Sequence, residues 1–149
     1  MYKHILIPTD GSALAGKAVK AGVRLAKALG AKVTGVHVVA PYYTPPIPVE
    51  GGVYIPGMSA DAYRAYSYKQ ARKALAPVER EARAARVRCK TKIMTAPRPA
   101  EAILKTARSN GCDVIAMASR CRGGFKTLML GSATRRVLEQ SKIPVVVLR

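Results

Sequence analysis

DVIAMASRCRGGFKTLMLGS, residues 113–132, is the stretch on which the reading of this chain turns. It opens with Asp113-Val114-Ile115-Ala116-Met117-Ala118, a continuous apolar run behind an acidic start, as expected of a strand buried on both faces. It then breaks into Ser119-Arg120-Cys121-Arg122-Gly123-Gly124, a small basic loop. After Phe125 to Leu130 come Gly131 and Ser132, and Ser132 is a good N-cap for a helix over 133–140. A buried strand, a cationic loop with paired glycines and a helix N-terminus together make an anion site. There, backbone N–H groups and the helix dipole favour negative charge, and glycine lets phosphate approach closely. An ordinary strand-to-helix connection is the competing reading, but this loop is longer and more basic than such a connection needs.

The rest of the chain supplies the partners of that strand. Residues 3–8 and 32–39 are apolar runs that read as strands, Arg88 to Met94 alternates like a half-exposed edge strand, and Ile143 to Leu148 is a fifth strand. Between them lie helices. The first runs from Ala13 to Leu29, capped by Ser12 and stopped by Gly30, with Ala15, Ala18, Val19, Gly22, Val23, Ala26 and Leu29 on one stripe. Lys17, Lys20, Arg24 and Lys27 keep its other side wet. The second, capped by Ser59, runs to about Arg86 and buries Leu75, Val78, Ala82 and Ala85. Pro77 within it is expected to kink or divide it near 73–76. Its exposed face carries Arg72, Lys73, Arg80, Arg83 and Arg86. The third starts at Pro99 and ends at Asn110-Gly111. Strict strand–helix alternation predicts an α/β fold in one domain over 1–149, an open doubly wound parallel sheet with helices on both faces. Its ligand crevice is expected at the strand C-termini where the winding reverses. If the first and fourth strands are neighbours, Pro8-Thr9-Asp10 and residues 117–124 face one crevice.

Composition agrees. Trp is absent and Phe occurs once, so Val, Ile, Leu and Ala must build the core, which favours a parallel sheet between helices. A net charge of +18 draws phosphate-bearing partners, or else describes a merely solvated basic surface. Binding to polyanions, if it occurs, is expected to be electrostatic and not sequence-reading. Cys89, Cys112 and Cys121 show no metal-ligand spacing, and the expected setting is a reducing cytoplasm with no membrane span. Cys121, between Arg120 and Arg122, is either a reactive thiol or an inert filler of a small site.

Several features have two readings. Gly11 to Ala18 imitates a phosphate loop, but it ends in Ala18 where a Mg²⁺-binding hydroxyl is needed, and Gly16 and Lys17 fall inside the first helix. His37 and His4 read as hydrogen-bonded core residues and not as ligands. The segment Pro41 to Gly57, rich in proline and tyrosine, is irregular; with Tyr63, Tyr66 and Tyr68, its tyrosines either pack the loop onto the domain or stack on bases. Pro144 lacks an N–H, which puts residues 143–148 at a sheet edge, and their apolar faces call for a second copy there. No Ser/His/Asp set or acid pair is legible, so an enzyme would turn over slowly at most.

The chain resembles the universal stress protein family. The resemblance rests on Ile5-Leu6-Ile7-Pro8-Thr9-Asp10-Gly11-Ser12, His37-Val38-Val39, Asp113 to Met117, Arg122-Gly123-Gly124, Leu130-Gly131-Ser132 and Pro144 to Val147. It implies a five-stranded sheet of order 3-2-1-4-5, a homodimer through 143–148 and a cytoplasmic stress-response role. ATP-binding members carry GxxG, nine residues, then Gly-Ser/Thr. Here that spacing is kept, with Ala118 and Cys121 in the glycine positions and Gly131-Ser132 at the end. Carried over by position, Pro8, Thr9, Asp10, Val38 and Met117 would face the base and ribose. Ala118, Arg120 and Cys121 would meet ribose and phosphates, and Gly131, Ser132, Ala133 and Thr134 would hold the phosphate tail. Mg²⁺ would come only with the nucleotide. Asp10 has a second reading as the cap of its own turn, and the whole chain has the alternative of a dimeric interaction module that binds no nucleotide.

Overall fold

The computed structural model describes residues 1–42, 57–118 and 130–148. Strand β1 (His4–Pro8) is buried along almost its whole length because apolar side chains alternate to two covered faces. Ile5 and Ile7 point to one face, where α1 (Ala13–Leu29) and α2 (Ala60–Ala84) supply Val19, Val23, Val78 and Ala82. Leu6 points to the other, against Ile103 and Ala107 of α3 (Pro99–Ser109) and Val137 of α4 (Ser132–Gln140).

With β2 (Lys32–Val39), β3 (Cys89–Thr95), β4 (Val114–Ala118) and β5 (Val145–Leu148), β1 forms an all-parallel sheet of order β3-β2-β1-β4-β5. β1 pairs with β2 from His4↔Lys32 to Pro8↔Val36, and with β4 through Ile5↔Val114 and Leu6↔Ile115. The Asp113 carboxylate locks that second pairing by accepting the N–H groups of Lys3 (2.7 Å) and His4 (3.0 Å). The expected fold class and strand order are therefore those observed.

Local chemistry accounts for the helix ends. Ser12 accepts the Ala15 N–H at α1, Ser59 accepts the Ala62 N–H at α2, and Gly30 ends α1 in the left-handed region at φ 64°. Gly16 and Lys17 lie inside α1, which removes the phosphate-loop reading. Three expectations are corrected. Ser132 is not the N-cap of α4 but its first residue; Gly131 is the cap and brings no side chain to it. Pro77 does not divide α2, which runs unbroken through it because Leu75 and Val78 on either side are both anchored in the core. Leu29 and Ala85 are only half-buried, since each lies where its helix ends. The sheet edges also match expectation, with β3 alternating between half-buried and exposed from Cys89 to Ile93 and β5 half-buried throughout. The Pro41–Gly57 reading falls largely on residues 43–56, and the basic loop on 119–129; both lie outside the described residues, as does Arg149.

Candidate functional site

The winding reverses between β1 and β4, so their C-terminal ends leave a crevice uncovered by either crossover. A cleft of about 260 Å³ opens there. One side is the end of β1, where three residues form a tightly bonded turn. The Thr9 hydroxyl accepts the Gly11 N–H (3.2 Å), the Asp10 carboxylate accepts the Ser12 N–H (2.9 Å) and the Ser12 hydroxyl accepts the Ala15 N–H (3.2 Å). Gly11 sits at φ +79°, and a Cβ there would lie 3.0 Å from that of Ala74, so this turn needs glycine both for its backbone angle and for the passage of α2.

The floor comes from β2. The Pro8↔Val36 register carries Val36, His37 and Val38 to the level of the turn, and the Thr9 N–H bonds the Val36 carbonyl at 3.0 Å. His37 Nδ1 lies 2.9 Å from the Thr9 carbonyl; that oxygen only accepts, so the ring proton sits on Nδ1. The ring thus clamps the β1 turn, as expected of a hydrogen-bonded histidine.

The far wall is Met117 and Ala118 at the end of β4, facing Gly131 to Thr134. The Thr134 hydroxyl donates to the Ala118 carbonyl (3.1 Å) and ties the first turn of α4 to the strand. Gly131 offers no capping side chain, so among the described residues the first N–H groups of α4 meet no N-cap acceptor of the kind Ser12 gives α1. Among the described residues Arg86 is the only non-glycine at positive φ, so Ala118 occupies its position without backbone strain.

The structure thus gathers Pro8, Thr9, Asp10, Val38, Met117, Ala118, Gly131, Ser132, Ala133 and Thr134 around one cleft. Arg120 and Cys121 lie outside the described residues. The sequence reading missed Ser12, Leu14, Ala15, Val36, Pro99 and Ile103, and it gave His37 no place at the site. Pro99 and Ile103 come from α3, and only its packing on β2 brings them there. Asp10 does cap its own turn, as its second reading had it, while also lining the cleft. Among the described residues no three His, Cys, Asp or Glu side chains come together in a way that could hold a metal ion.

The model of the universal stress protein family matches residues 1–149. The chain belongs to the universal stress protein family. It is 32% identical over 149 residues to the universal stress protein YxiE of Bacillus subtilis, covering all of both chains. Among solved structures it is similar to the universal stress protein of Archaeoglobus fulgidus in complex with dAMP, at a TM-score of 0.72 and 18% identity over 99% of this chain and 98% of that one. It is likewise similar to a universal stress protein in complex with cAMP, at a TM-score of 0.70 and 22% identity over 99% and 97% of the two chains. At these identities the two structures establish the common fold.

Proposed function

We propose that this universal stress protein binds an adenine nucleotide, ATP in the first instance, in the cleft between β1 and β4 and acts as a sensing or regulatory module. The observation that carries the reading is the asymmetry of the cleft. Part of its lining is apolar, from Pro8, Val36, Val38 and Met117, and part is the α4 N-terminus, whose N-cap Gly131 brings no side chain. A nucleotide has the matching asymmetry, a flat base at one end and an anionic tail at the other. The base would lie against Val38 and Pro8, with Asp10 toward the ribose. The tail would meet the backbone N–H groups from Ser132 to Thr134, and any Mg²⁺ would arrive with it. Ala118 without strain at a family glycine position supports the reading. So do the related proteins whose structures hold cAMP and dAMP.

The proposal extends to assembly and setting. β5 is a sheet edge with four half-buried apolar residues, and a second copy added antiparallel about a two-fold axis would satisfy its backbone. The protein would act in the cytoplasm.

Calorimetric titration with ATP at low salt tests the nucleotide site. Saturable heat is expected, weakened about tenfold or more by Asp10→Ala, which removes a charge-assisted contact, and weakened too by Gly131→Val, which narrows the space for the anionic tail. Gly131 has extended backbone angles, φ −60° and ψ 152°, so valine is accommodated there without strain and acts by narrowing the cleft. No heat and no saturation at millimolar ATP would overturn the reading in favour of an interaction module without nucleotide.

A further inference from the structure

The two helical layers differ in charge in a way that total charge does not reveal. α1 and α2 pack side by side on the Ile5/Ile7 face of the sheet. α1 has no acidic residue, and its exposed row is Lys17, Lys20, Arg24 and Lys27. On α2, Lys69, Arg72 and Lys73 are exposed; of its acids, Asp61 stands apart in the first turn, Glu79 accepts the Thr91 hydroxyl of β3 at 2.7 Å, and Glu81 lies beside Arg80. In the α3/α4 layer two cations are matched, Arg98 with Glu101 and Arg135 with Glu139, each at 2.8 Å, alongside the exposed Lys105, Arg108 and Arg136. α1 and α2 together carry ten cations against three acids, and α3 and α4 four against two, so the positive excess lies mainly on the first layer.

We propose that the outward face of α1 and α2 is a docking surface for the phosphate backbone of nucleic acid, bound without regard to base sequence. Charge complementarity names the occupant. A polyelectrolyte releases condensed counterions as each cation neutralises a phosphate, and two adjacent cationic rows suit a repeating charge better than a single anionic group. An anionic membrane is the weaker match, because helices that lie on bilayers insert large apolar side chains. On these two helices Tyr66 is the only large hydrophobic residue exposed. The surface stands apart from the cleft, since none of Lys20, Arg24, Lys27, Lys69, Arg72 or Lys73 lines it.

The test is a salt titration of binding to a labelled single-stranded oligonucleotide of mixed sequence. Two triple variants, Lys20→Gln/Arg24→Gln/Lys27→Gln on α1 and Lys69→Gln/Arg72→Gln/Lys73→Gln on α2, are set against a control on the other layer, Lys105→Gln/Arg108→Gln/Arg136→Gln. All three lose the same charge, and glutamine keeps helix propensity. Each face variant should flatten the slope of log affinity against log salt by about 2 to 3, at roughly 0.7–0.9 per lost contact, and bind about tenfold more weakly per lost cation near 50 mM salt. The control should stay within about threefold of the parent under the same conditions. Equal losses in control and face variants would show that net charge alone acts and would overturn the proposal. So would failure to bind the oligonucleotide at low salt alongside capture by vesicles rich in phosphatidylglycerol.

Discussion

Gly35 of β2 lies close beneath α2, and replacing it should expose how tightly the sheet is covered. A Cβ built there would lie 3.1 Å from Val78 Cγ1, 3.3 Å from Val78 Cβ and 3.4 Å from Leu75 Cδ2. Val78 is fully buried and β-branched, so it has no rotamer into which to retreat, and α2 must lift instead. Alanine in place of a strand glycine would by itself add about 0.5–1 kcal/mol of stability, whereas overpacking a core of this kind costs about 1–3 kcal/mol. Gly35→Ala should therefore destabilise by about 1 kcal/mol. Val78→Ala removes two methyl groups at ~0.8 kcal/mol each and leaves a cavity, for a loss of about 2–3 kcal/mol. In the double variant the new methyl occupies the space that Val78 vacates, so the combined loss should fall short of the sum by about 1–2 kcal/mol. Urea unfolding of the four proteins gives the cycle directly from midpoints and slopes. Additivity within about 0.5 kcal/mol, or a Gly35→Ala protein more stable than its parent, would refute the close-packing argument.

Other expectations follow from single groups. His4 is buried with Nε2 2.8 Å from the Thr34 hydroxyl, and burial, then the charge of Lys32, lowers its pKa below the ordinary 6.5. The neutral ring is thus the folded form, and its contribution, complete above pH 6.5, should be lost as pH falls from there through the lowered folded value. Urea midpoints that do not fall on acidification from neutral pH to about 5.5, in a protein whose His4→Asn variant behaves identically, would contradict this. Burial raises the Cys89 thiol, with the charge of Glu79 adding to it, and pushes Cys112 up to about 11, so a thiol probe should reach Cys121 first. Peptide mapping that finds Cys89 or Cys112 modified earlier would reject that order. Val146→Lys on the β5 edge should give monomers or insoluble protein, and light scattering that reports a monomer for the parent at micromolar concentration would exclude the dimer.

Features that depend on neighbours within a few residues were legible in the sequence. Ser12, Ser59 and Gly30 mark helix ends because their chemistry acts on N–H and C=O groups one turn away. The apolar runs at 4–8 and 114–118 could only be strands covered on both faces, and strand–helix alternation then left a doubly wound parallel sheet. Pro8-Thr9-Asp10 and the strand end at Met117 were legible as two halves of one crevice for the same reason, each ending an apolar run, whereas Gly131 to Thr134 entered through the family resemblance. What joins the halves is not local. Val36 and His37 reach the cleft through the β1–β2 register, and Pro99 and Ile103 through the packing of α3 on β2, so no spacing in the chain announces them. Pro77 misled because its missing hydrogen bond is a local cost, whereas Leu75 and Val78 hold both halves of α2 to the sheet. Likewise the composition carried the +18 charge but not its side. Only folding placed the ten cations of α1 and α2 in one layer and the four of α3 and α4 in the other, because the sheet's two faces are assigned by chain winding and not by charge.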